Sequence, residues 1–95
     1  MRKKLAKYLS SADENIPAIH FRLVEIGHNM IAVEKANRGI EEATRITVRI
    51  KESVFYHEFS YYGDSALQAY LNSNTFKKEF KHDVQNKEFI FTKTM

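Results

Sequence analysis

From residue 45 to residue 61 the chain changes character at nearly every step. Ile46, Val48 and Ile50 alternate with Arg45, Thr47 and Arg49. After Lys51-Glu52, the residues Phe55, His57, Phe59 and Tyr61 alternate with Val54, Tyr56, Glu58 and Ser60. A period of two is the mark of extended chain with one buried face, and β-branched and aromatic side chains favour that conformation. The pattern predicts two strands, most simply an antiparallel pair turning at Lys51-Glu52. The aliphatics occupy one face of the first strand, and Arg45 and Arg49 are presented on the other.

The flanking segments add elements of both kinds. Ile19, Phe21 and Leu23 alternate with His20, Arg22 and Val24, Gly27-His28-Asn29 supplies a turn, and Met30 to Val33 reads as a second strand. Residues 18–34 are therefore expected to form a hairpin. Residues 3–10 fit either a short helix or an edge strand guarded by lysines. Ser11 to Asn15 reads as a polar connector, and Pro17 is expected to exclude a helix running through it. After Gly63 the period changes. Asp64 or Ser65 can cap a helix that places Leu67, Tyr70 and Leu71 on one side. Asn72 to Thr75 breaks that helix and can cap another, with Phe76, Phe80 and Val84 four apart and Lys77, Lys78 and Lys81 turned away. Phe89 and Phe91 read as a final short strand. The expectation is an α+β fold: an antiparallel β-sheet of four or five strands with two short helices packed on one face, built as a single domain over residues 1–95.

Composition bounds the function classes. No cysteine is present, which excludes a disulfide scaffold and a thiolate zinc site. No window approaches the ~20 apolar residues of a membrane helix. Met1-Arg2-Lys3-Lys4-Leu5 lacks the apolar run of a secretory signal, so a cytoplasmic location in a host cell is expected, with no membrane partner. The net charge of +3 is unevenly spread. Residues 1–10 carry four bases and no acid, residues 11–74 carry six bases and nine acids, and residues 75–95 carry five bases and three acids. The acidic middle suggests a basic partner, or no charged partner at all.

Catalytic constellations are missing from the sequence. It has no phosphate-binding loop, no dinucleotide glycine motif and no nucleophile elbow. The four histidines, His20, His28, His57 and His82, share no ligand spacing, and adjacent Glu41-Glu42 point apart. The chain is expected not to be an enzyme and to need no cofactor or metal. Two features could carry binding instead. The aromatic segment Phe55, Tyr56, Phe59, Tyr61 and Tyr62 lies beside Arg45 and Arg49, as in sheets that stack bases, although Phe55, Phe59 and Tyr61 on one face suit a core better. The cluster Arg2, Lys3, Lys4 and Lys7 could reach phosphate, or simply be solvated.

Lys7-Tyr8-Leu9-Ser10-Ser11-Ala12, with Asn15 three residues on, resembles the opening of a small phage-encoded type I-F anti-CRISPR protein family, which has Thr in place of Ser11. Three later patches follow in order: Glu25-Ile26-Gly27, where the family has Asn in the middle; Ala32-Val33-Glu34 followed by Gly39, with one family residue missing between Ala32 and Val33; and Asp64-Ser65 with Leu67 and Tyr70, where the family has Trp for Tyr70 and its cap two residues further from the Leu. The alignment covers residues 7–70 with insertions after Asn15 and around residues 41–60. The resemblance implies a non-enzymatic inhibitor that binds backbone subunits of the crRNA-guided surveillance complex and blocks target DNA binding. It carries partner contacts onto Tyr8 and Glu34, with Lys7 beside Tyr8. A second contact tyrosine of the family falls at Val24 here. The alternative is a small nucleic-acid-binding accessory or regulatory protein using the Arg45/Arg49 strand and the basic ends.

Overall fold

The computed structural model describes residues 2–39 and 45–94, with side chains described from residue 15 onward. In chain order the elements are helix α1 (Arg2–Arg38), strand β1 (Arg45–Lys51), helix α2 (Glu52–Glu58), a one-turn 3-10 helix (Ser60–Tyr62), helices α3 (Asp64–Asn72) and α4 (Asn74–Glu79), and strands β2 (Phe80–Asp83) and β3 (Glu88–Thr94). The three strands form one antiparallel sheet in the order β1-β3-β2. The class is α+β as expected, but among the described residues the sheet has three strands rather than four or five, and four α-helices rather than two.

The expected hairpin over 18–34 is instead the C-terminal half of α1. Ile19, Leu23, Gly27 and Ile31 are spaced four apart, so on a helix they line up on one side. All four are buried, the three side chains with no exposure. The same residues also satisfy a period of two if Phe21 is counted inward, which is why the segment reads as a strand. On the helix Phe21 is left 75% exposed. Gly27 is no turn but the point where α1 touches the sheet. Pro17 lies inside α1 and does not end it. Its missing N–H and ring cost a helix interior about 3 kcal/mol, and the packing of α1 that begins at Ile16 and Ile19 offsets that cost.

The expected strand over 54–61 is likewise helical. Phe55 and Phe59 sit one turn apart and both are buried, while Tyr61 on the following 3-10 turn is 78% exposed. The amide of Glu52 donates to the carbonyl of Lys87 at 2.9 Å, which ends β1 and starts α2 against the β2–β3 turn. β1 therefore pairs with β3, Arg45 opposite Thr94 through Lys51 opposite Glu88. The alternation in β1 holds: Ile46, Val48 and Ile50 are buried and the residues between them exposed. The final strand is present and longer than Phe89–Phe91 alone. The segment after Asn74 is helical only to Glu79. Phe80 then enters β2, and Val84 is 71% exposed in the turn rather than on a helix stripe.

One face of the sheet carries the core. Phe80, Phe89 and Phe91 join Ile46, Val48 and Ile50 beneath α1, α2 and α3. The aromatic rings interlock: Phe80 stacks on Phe91 at 5.0 Å, Phe89 meets Phe55 edge-on at 5.1 Å and Phe76 at 5.3 Å, and Tyr70 meets Phe76 at 5.3 Å. Such pairs contribute about 0.5–1.5 kcal/mol each beyond burial. No helix of the described residues is long and apolar enough to cross a membrane.

Candidate nucleic-acid interface on the open sheet face

The strand register fixes what the uncovered face of the sheet displays. β1 contributes Arg45, Thr47, Arg49 and Lys51, β2 contributes Lys81 and Asp83, and β3 contributes Glu88, Ile90, Thr92 and Thr94. The two ends of this face differ in charge. At the hairpin end Arg49 donates to Asp83 at 3.3 Å and to Glu88 at 3.2 Å, so that end is internally neutralised. Asp83 also accepts from the backbone amide of Asn86 at 3.1 Å and from its side chain at 2.8 Å. Those bonds, and then Arg49, hold the Asp83 carboxyl below the usual range. They also shape a turn in which Lys87 takes a positive φ of 56°.

The opposite end is cationic. A concavity of about 430 Å³ is lined by Arg45, Lys77, Lys78 and Lys81, with Thr47, Thr92 and Ile90 on its floor. α4 positions Lys77 and Lys78 there, because Phe76 on the same helix is anchored in the core. Thr47 and Thr92 share a hydroxyl–hydroxyl bond of 2.8 Å across the β1–β3 pair. Glu79 lines the same concavity but is bound to Lys93 at 3.0 Å. Among the described residues none of Arg45, Lys77, Lys78 and Lys81 makes an ion pair.

The sequence places its acids in the middle of the chain, yet folding pairs most of the described ones with bases. Glu25 pairs with Arg22, Glu34 with Arg38, Glu52 with His82, Glu79 with Lys93, and Asp83 and Glu88 with Arg49. Of the described cations left without an ion pair, Arg45, Lys77, Lys78 and Lys81 meet around this concavity, while Lys35, Lys51 and Lys87 lie away from it. This cluster draws on β1, α4 and β2, from both the acidic middle and the basic C-terminal stretch. Only their chance of meeting on one face was invisible; the run Lys77-Lys78 with Lys81 was the available signal.

The resemblance-derived residues lie elsewhere. Lys7 and Tyr8 fall on α1, but their side chains are outside the described residues. Glu34 is half-buried near the other end of α1, held by Arg38 at 2.9 Å. A helix rises about 1.5 Å per residue, so Tyr8 and Glu34 stand roughly 39 Å apart along α1. Glu34 does line a groove of about 630 Å³ between α1 and β1, with Ile26, Met30 and the 59% exposed Val33. The aromatic segment does not face Arg45 and Arg49: Phe55 and Phe59 are in the core. Glu41 and Glu42 lie outside the described residues. Among the described residues no group of three His, Asp or Glu side chains could hold a metal ion.

No protein-family model, curated protein or solved structure matches the chain.

Proposed function

We propose that this chain is a non-enzymatic nucleic-acid-binding module that grips the phosphate backbone with the cationic end of its open sheet face. The supporting observation is the set Arg45, Lys77, Lys78 and Lys81 around one concavity, none of them in an ion pair among the described residues, while Glu79 in its wall is held by Lys93. Cations without internal partners attract polyanions, because each phosphate contact releases a condensed counterion. The Thr47 and Thr92 hydroxyls beneath them suit phosphate oxygens, which serine and threonine commonly contact. Among the described residues the register puts no aromatic side chain on this face, and Phe80 at the edge of the concavity is buried in the core, so the contact favours backbone over stacked bases.

The test is binding of a fluorescent DNA duplex at several salt concentrations. Four phosphate contacts imply a slope of log K against log salt of about −3 to −4. Changing Lys77 and Lys78 together to Ala should reduce the slope by about 2 and weaken binding to all sequences alike. Binding that is absent, or indifferent to salt, removes this reading.

A second reading follows the anti-CRISPR resemblance: an inhibitor that binds a crRNA-guided surveillance complex. The Glu34-lined groove favours it, since β1 is an edge strand beside exposed Val33, and such edges accept partner segments. Co-purification with a type I complex, lost on changing Val33 and Glu34 to Ala, would favour it over the first. No capture of such a complex would remove it.

A further inference from the structure

The floor of the cationic concavity differs from its rim. The rim is charged, with Arg45 on β1, Lys81 on β2, and Lys77 and Lys78 on α4. Between these charges the floor is neutral and has two parts: the Thr47–Thr92 hydroxyl pair and the half-buried side chain of Ile90. The two hydroxyls hold two protons, and one of them is used in the 2.8 Å bond that joins them. One O–H is left free, with lone pairs on both oxygens. A phosphate group uses only part of this floor. Its oxygens accept hydrogen bonds and donate none, so the free O–H serves them while the lone pairs and Ile90 do not.

We infer that the floor receives a ribose and that the ligand is RNA, its phosphates on the rim cations and a 2′-hydroxyl on the threonine pair. The inference rests on the phosphate-backbone reading of this site and names the kind of strand it takes. A 2′-hydroxyl both donates and accepts, so it engages the free O–H and a threonine lone pair together. Deoxyribose has no group to place there. Ile90 offers an apolar surface to the carbon edge of the sugar ring. The strand register sets this floor between cations. Arg45 lies one step beyond Thr47 on the same side of β1, and Lys81 on β2 stands opposite Ile90. A backbone strand laid across the floor therefore meets a cation at either end. Among the described residues the register gives this face no aromatic platform for splayed bases. Base-paired RNA suits it, because an A-form helix displays its 2′-hydroxyls beside the phosphates along a wide, shallow minor groove.

The experiment compares two duplexes of one sequence, RNA and its 2′-O-methyl counterpart, by fluorescence anisotropy with the full chain at several salt concentrations. Methylation keeps every phosphate and the A-form helix but removes the 2′ O–H donor. The RNA duplex should bind about 10-fold tighter, the scale of one or two net hydrogen bonds, and with the same salt slope. Thr47→Val combined with Thr92→Val keeps branched side chains that suit a strand. That variant should bind RNA only as well as the methylated duplex, with the slope unchanged and the wild-type circular dichroism spectrum retained. Should it fail to fold, the same two positions changed to Ala give the same readout. Equal binding of both duplexes, steeply salt-dependent, overturns the ribose assignment and leaves the phosphate reading standing. A preference that survives in the folded double variant also overturns it, since the bulk of the methyl groups then accounts for the difference. No binding of either duplex at any salt removes both readings.

Discussion

A methyl group built on Gly27 would stand 2.5 Å from Cδ2 of Phe91, closer than carbon atoms approach. Phe91 cannot easily yield, because it is fully buried, stacked on Phe80 at 5.0 Å, and flanked by His28 at 5.4 Å. Gly27 is helical, so alanine gains up to about 1 kcal/mol of helix propensity. Overpacking a filled core costs about 1–3 kcal/mol. The clash wins where the core is this tight, and Gly27→Ala should lower stability by about 1–2 kcal/mol. Urea denaturation measures it. An unchanged or raised midpoint would show that α1 can slide away from β3 at no cost. In sequence this glycine looks like any turn glycine; only the ring opposite it reveals why a side chain is excluded.

Among the elements, the α3–α4 junction was legible and the hairpin over 18–34 was not. Ser73 accepts from the amide of Phe76 at 3.2 Å and donates to the carbonyl of Tyr70 at 2.5 Å, closing one helix and opening the next. The polar run Asn72–Thr75 announces this, since short hydroxyl side chains satisfy the orphan groups of helix ends. Ser73→Ala should cost about 1 kcal/mol, read as a lower urea midpoint with unchanged slope. Loss of less than a few tenths would mean that water caps α4 equally well. The start of α3 is different: Gly63, with a positive φ of 89°, takes the cap position, and neither Asp64 nor Ser65 serves there. Segments 18–34 and 54–61 were misread for one reason. Their apolar residues fit periods of two and of nearly four at once, and local pattern cannot choose between them. β1 was read correctly because Arg45, Thr47 and Arg49 leave no apolar residue on the second face.

At the scale of the whole molecule, one side-chain hydrogen bond among the described residues ties α1 to α3. Nδ1 of His20 lies 2.8 Å from the Tyr70 hydroxyl, which belongs to a fully buried ring. Burial, and then Glu79, push the Tyr70 hydroxyl far above its usual range, so it keeps its proton. Burial also holds the His20 imidazole below 6.5, with Glu79 opposing and Lys93 assisting. The neutral ring therefore accepts the Tyr70 proton. The unfolded chain takes up a proton at His20 at higher pH than the folded chain does. The stability His20 contributes is thus complete above pH 6.5 and is lost as pH falls through 6.5 toward the lowered folded value. Unfolding free energies of the wild type and His20→Gln, compared from neutral to mildly acidic pH, should converge on acidification. A gap that stays constant with pH would show that His20 does not titrate in this way.

Strand β1, the α3–α4 junction, the last strand and the α+β class were determined by sequence alone, because each rests on a local pattern with one physical solution. The helical state of 18–34 and the pairing of β1 with β3 were decided by the tertiary structure, because only packing against Phe89 and Phe91 distinguishes two equally good local periods. The charge of the sheet face was decided there too. Which acids find bases depends on the fold, and only the fold brings Arg45 of the acidic middle beside Lys77, Lys78 and Lys81 of the basic C-terminal stretch.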